Sequence, residues 1–293
     1  MVDARAGVGA RLYVPLAILF SLLWAAAFDA VKISQRGLPP LFLMGSRFLL
    51  AGGVLLLIAL ATGRRLPRAG AGWAKLATLG VLNYGLYLGI SSLALEHVSG
   101  GLAAVLASTN PLMLAAVAPV LLAERIGRLR LAGMVIAFVS VVVIMAGRLG
   151  AHDTPLGILL ILLANVFLTA GTVLFKRWQP AEHLTVVNGV QLLAASAAVL
   201  APSLLFENLA GIHLAADVLV AFGFLVVGVS LGAMTIWFFM LRSGDAARAS
   251  SYFFLNPVFG LLLGALLLSE PLHLLDFAGA GGVAAGLYLV NRA

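Results

Sequence analysis

"FFLNPVFGLLLGALLLSEPL" (residues 253–272) is apolar enough to cross a membrane, yet an Asn-Pro pair, Asn256-Pro257, stands within it. A proline inside a helix removes one backbone donor and clashes with the carbonyl a turn earlier. The same interruption occurs 146 residues upstream, at Asn110-Pro111 in "ASTNPLMLAAVAPVLLAERI" (residues 107–126). In both stretches an acidic residue follows the proline by thirteen positions, Glu124 in one and Glu270 in the other. A break repeated together with its surroundings points to a duplicated unit.

Composition sets the medium in which that unit folds. Of the 293 residues, 62% are hydrophobic and 10% charged, against roughly a quarter charged in soluble domains. The apolar runs approach 20 residues and are separated by short basic or Pro/Gly-rich breaks, the pattern of bilayer-spanning helices. Ten spans are expected, at 12–34, 41–62, 73–94, 100–122, 129–147, 155–177, 183–205, 217–241, 247–268 and 273–291. The first lacks a credible cleavage site and reads as a retained span rather than a signal peptide. Cysteine is absent, which removes disulfides, thiol catalysis and thiolate metal sites.

The net charge of +7 has an orientation to explain it, so nucleic acid is not expected as a partner. With the N-terminus cytoplasmic, 14 Lys and Arg residues fall on the inner side, and Lys32, Arg36 and Arg148 fall outside. The positive-inside rule therefore predicts cytoplasmic N and C termini. An offset of 146 overlays Asn110-Pro111 on Asn256-Pro257, Glu124 on Glu270, Ala103 on Ala249 and Gly133 on Gly279. An offset of 144 overlays Lys32 on Lys176, Gln35 on Gln179 and Gly45 on Gly189. Five spans per copy is an odd number, so the second copy enters the membrane upside down. The expected fold is an all-α membrane protein of ten transmembrane helices in two inverted five-helix repeats, 1–148 and 149–293, forming one compact domain.

The stretches "GGLAAVLASTNPLMLAAVAPVLLAERI" (100–126) and "ARASSYFFLNPVFGLLLGALLLSEPL" (247–272) each resemble the signature of spans 4 and 9 in the EamA family of the drug/metabolite transporter superfamily. In that family a small-residue-rich span carries a mid-helix proline and ends in a Gly-Glu or similar pair. Here the pairs are Ala123-Glu124 and Ser269-Glu270, a mild departure in both halves. The chain looks most like the YddG-type exporters of aromatic and other neutral amino acids. That resemblance implies a basket-like bundle, a central cavity, alternating access and efflux from a bacterial cytoplasmic (inner) membrane, with methionine and threonine among the possible substrates.

Helical spacing brings the polar and aromatic residues inside the spans onto faces. Trp24, Tyr84, Tyr87, Asn110, Asn165, Asn188, Gln191, Trp237, Tyr252 and Asn256 are the candidate substrate-binding residues. Buried amides are costly in hydrocarbon unless paired or wet. They serve either as interhelical glue or as the walls of an aqueous cavity with aromatic faces. Such a cavity suits a ligand with an apolar side chain and a zwitterionic head. Pro111 and Pro257 are the candidate hinges. Asp29 and Arg47 lie at comparable depth in adjacent spans; they are expected to form an ion pair, with carboxylate binding by Arg47 as the other reading.

The remaining classes fit less well. The five histidines fall at span ends or loops, and no Ser/His/Asp group or pair of midplane carboxylates is legible, so an enzyme is not expected. No metal or cofactor is expected either. Sugar nucleotides would require more cations for their phosphates, and drug cations an embedded acid. Other small metabolites, drugs or a channel function remain as alternatives. One chain already carries both halves of a site, so a monomer is expected, with the lipid bilayer and a small-molecule substrate as its partners.

Overall fold

The computed structural model describes residues 3–68, 70–145, 153–268 and 272–292. Every regular element among them is helical. Nine helices among the described residues are long and apolar enough to cross a membrane. They are α1 (Leu12–Ser34, the apolar part of Asp3–Ser34), α2 (Pro40–Ala61), α3 (Gly70–Ala94), α4 (Leu102–Leu121), α5 (Arg128–Met145), α6 (Pro155–Trp178), α7 (Leu184–Phe206), α8 (Ala216–Ser243) and α10 (Leu274–Arg292). The span expected at 247–268 is α9, cut into Ala246–Ser251, Tyr252–Phe254 and Leu255–Leu268. No piece of α9 is long enough alone, but end to end they suffice for a hydrocarbon core of roughly 30 Å. Side chains such as Val120 and Leu274, 84% and 86% exposed, cover the outside with apolar surface that only lipid would solvate.

Contacts at the helix ends define two faces. On one, the start of α1 meets the end of α10: the Arg248 guanidinium lies 4.7 Å from the Tyr13 ring centre and its Nε donates to Asn291. We call this the terminal face. On the opposite, distal face the Glu207 carboxylate accepts from the backbone N–H groups of Leu41 and Phe42, and Thr154 N–H donates to the His97 carbonyl.

Both broken helices open their second piece with the Asn-Pro pair. In α4, Gly100–Ala107 stops and Asn110–Leu121 begins after Ser108 and Thr109. In α9, Asn256-Pro257 falls in the first turn of Leu255–Leu268. The break therefore precedes the proline rather than sitting on it. A first-turn N–H has no helical partner, so proline loses nothing there, while the preceding turn loses the helical bond.

Carbonyls near the breaks and ahead of the helices also accept from side chains of other helices, in a matched way. Asn165 Nδ2 donates to the Leu106 carbonyl at 2.6 Å, and Ser21 Oγ donates to the Tyr252 carbonyl at 2.9 Å. Ser21 and Asn165 are 144 residues apart, Leu106 and Tyr252 146. Lys176 Nζ donates to the Gly244 carbonyl at 2.7 Å, and Lys32 Nζ to that of Val98 at 3.2 Å, again at offsets of 144 and 146. A π-helical stretch interrupts α3 at Val81–Leu86 and α8 at Leu225–Ala233. Glycine sets the closest crossings: a Cβ on Gly80 would sit 2.2 Å from the Gln191 carbonyl oxygen.

Candidate functional site

An internal cavity of about 40 Å³ lies toward the distal half of the bundle. It is lined by α1, α2, α3, α4, α6 and α8, with Trp24, Phe28, Arg47, Tyr87, Ser91 and Asn165 among its walls. At one water centre per roughly 10–15 Å³ this is room for a few waters, well short of a substrate the size of an amino acid.

Aromatic rings close the cavity from below. Trp24 and Tyr87 stack at 6.3 Å, and Phe20 lies 5.4 Å from Trp24 and 5.5 Å from both Trp237 and Phe253. This layer draws on α1, α3, α8 and α9, so rotation of the broken helix α9 would disturb it. Trp237 is buried within it and its indole N–H has no hydrogen-bond partner.

The expected Asp29–Arg47 ion pair is not formed. Arg47 is 1% exposed, its Nε donates to Ser230 Oγ at 2.8 Å, and its Nη1 contacts Met44 Sδ at 3.7 Å. Asp29 lies at an exposed position of α1. The reason is geometric: Arg47 turns into the bundle, towards the cavity, whereas Asp29 turns out of it. Arg47 also packs on the Phe48 ring at 5.5 Å, and its Nη2 has no partner.

The candidate residues divide by position. Trp24, Tyr87 and Asn165 line the cavity with Arg47. Asn188 does not; it bridges three helices, donating to the Ser230 carbonyl and Thr235 Oγ1 and accepting from the Tyr84 hydroxyl. Gln191 is likewise outside it, its Oε1 accepting from Asn83. Asn110 donates to Thr169 Oγ1 at 3.0 Å, and Tyr252 bonds Asn291 near the terminal face. Asn256 is buried with neither amide atom partnered. Stripe arguments selected faces that point inward, but inward includes both the cavity and the helix crossings.

On the terminal face, polar contacts that the stripes did not reveal tie the ends of α4, α5, α6 and α9 together. The Glu124 carboxylate accepts from the backbone N–H groups of Ala246 and Ala247 and lies 3.8 Å from Lys176 Nζ. Lys176 also reaches the Leu241 carbonyl, and Arg130 pairs with Asp245 at 2.9 Å. Ala123 adopts φ 55° to deliver Glu124. Glu270, the sequence counterpart of Glu124, and Arg148 lie outside the described residues. Among the described residues no cluster of His, Cys, Asp and Glu is gathered that would hold a metal ion.

Comparison with known proteins agrees with this architecture. Residues 11–146 and 155–292 each match the profile of the EamA-like transporter family. The uncharacterized transporter YvbV of Bacillus subtilis is 27% identical, the alignment covering 92% of this chain and 88% of that protein. The uncharacterized inner membrane transporter YedA of Escherichia coli K12 is 28% identical over 93% and 89% of the two chains. Protein PecM of Dickeya dadantii is 28% identical over 83% and 80%. A solved crystal structure superposes with a TM-score of 0.81 at 20% identity, covering 95% of this chain and 98% of the other, which establishes the fold.

Proposed function

Since the chain belongs to the EamA-like transporter family, we propose that it exports aromatic and other neutral amino acids, and related small metabolites, by alternating access through the central cavity. The observation that carries this reading is the cavity itself: aromatic walls at Trp24, Phe28 and Tyr87 beside polar atoms of Arg47 and Asn165 that lack partners. Rings supply dispersion for an apolar side chain, and the polar atoms supply bonds for a charged head. The two halves, 1–148 and 149–293, act as inverted repeats, a reading supported by hydrogen bonds that recur at fixed offsets. The cavity lies in the distal half, and the Glu124–Lys176 contact bridges helices at the terminal face, which suits a gate on that side. Exchange of these two conditions moves the substrate across.

The terminal face is cytoplasmic on the charge distribution, and the membrane is a bacterial inner membrane, consistent with the name of the relative YedA. The test is efflux from reconstituted vesicles loaded with amino acids, purines or sugar nucleotides. Faster release of neutral amino acids than from protein-free vesicles is expected. Release of purines or sugar nucleotides with none of amino acids would overturn the reading in favour of another metabolite class.

A further inference from the structure

Arg47 carries a charge that the fold does not use. It is 1% exposed in the apolar interior, and its described partners are a serine hydroxyl, a thioether and an aromatic face. Among the described residues no carboxylate stands within ion-pair distance of it. A buried guanidinium is costly unless an anion and a full set of acceptors compensate it. Its Nη2 has none, although Arg47 lines the cavity.

The other half of the molecule supplies an internal control. Arg47 and Gln191 are 144 residues apart, the offset that relates Ser21 to Asn165 and Lys32 to Lys176. Their partners correspond too: Arg47 bonds Ser230, Gln191 bonds Asn83, and Asn83 and Ser230 are 147 apart, as are Gly85 and Gly232. A neutral amide thus fills the equivalent packing position and bonds the equivalent partner, accepting where Arg47 donates. The positive charge at Arg47 is surplus to packing.

We infer that Arg47 is the specificity-determining residue of the cavity, binding the carboxylate of a substrate that carries a single carboxylate group, with Ser230 positioning its guanidinium. This rests on the reading of the cavity as a transport site, and it narrows that site to ligands carrying one carboxylate. A planar fork matches a carboxylate in two parallel bonds. The other lining residues are uncharged, which fits one negative charge rather than a phosphate dianion. Asn165 Oδ1, also buried and without a partner, accepts from a donor elsewhere on the ligand.

The experiment compares acids with their amides. Thermal midpoints of the purified protein are measured with phenylalanine, phenylacetate, phenylalaninamide and phenylacetamide. Both acids are expected to raise the wild-type midpoint at concentrations roughly 10- to 100-fold below those needed of the amides. Arg47→Gln removes that preference and Arg47→Lys retains part of it. The unliganded Arg47→Gln protein is expected to melt no lower than wild type, because a neutral amide already serves at position 191; a merely structural arginine would give a lower midpoint. Equal responses to acids and amides in wild type, or an unchanged acid preference in Arg47→Gln, overturn the assignment. The wild-type comparison decides it even if a variant fails to fold. Acid binding through Arg47 without vesicle efflux of amino acids would refute amino acid export and leave the anchor standing. Efflux with the same acid preference in Arg47→Gln would do the reverse.

Discussion

Asn188 and Asn256 show how two residues of one type, equally buried, do different work. Asn188 uses its amide oxygen and nitrogen to join α3, α7 and α8, and its loss leaves the Tyr84 hydroxyl unsatisfied. Asn188→Ala should lower stability by roughly 2 kcal/mol, read as the detergent concentration or temperature at which helicity is lost. Asn256 makes no bond, so Asn256→Ala should leave the same midpoint unchanged or raised. A left-handed φ of 55° at Ala123 likewise has a cost, about 1–2 kcal/mol for a residue with a Cβ. The resemblance noted from sequence places a glycine in this Gly-Glu pair. Ala123→Gly should raise the thermal midpoint, and a fall would mean that the turn is held for another reason.

At the scale of the element, the two broken helices carry the argument. The pieces of α4 and α9 meet: Ser108 Oγ lies 3.5 Å from the Phe253 carbonyl, and Ser21 holds that of Tyr252. Carbonyls at both breaks also accept from side chains of other helices, so each break is tied to the bundle. Pro111→Ala and Pro257→Ala restore the missing donors and allow continuous helices. Both variants should insert normally and export several-fold more slowly; wild-type flux in both would remove the hinge role. The break was legible in the sequence because proline chemistry is local. Its displacement into the preceding turn was not, since that depends on which carbonyls find donors from α1 and α6.

For the whole molecule, the asymmetry between faces is the informative feature. The cavity lies in the distal half, while Glu124, Lys176, Arg130 and Asp245 bridge helices at the terminal face. Lys176→Met with Glu124→Gln should weaken that bridge and shift the population toward the other opening. Labelling of a cysteine introduced at Phe175, which is buried next to the gate, should then accelerate. Unchanged labelling would show that the aromatic layer alone seals this side.

Length of apolar runs, charge distribution and the twice-written Asn-Pro pointed to a chain of membrane-spanning helices with two related halves, because these depend on residue type and spacing alone; the family came from the resemblance of two whole stretches. Among the described residues nine of the ten expected spans have a membrane-length helical run within a few residues of their expected ends, and the two that carry the Asn-Pro pairs, 100–122 and 247–268, are both interrupted. Only the tertiary structure decided which inward faces meet a cavity and which meet another helix. It separated Asn165 from Asn188, turned Arg47 toward Ser230 and away from Asp29, and set Lys176 against Glu124. Those outcomes depend on the rotation of each helix about its axis, which is set by close approaches such as Gly80 on Gln191. A contact between residues a hundred positions apart leaves no trace in the spacing of either helix.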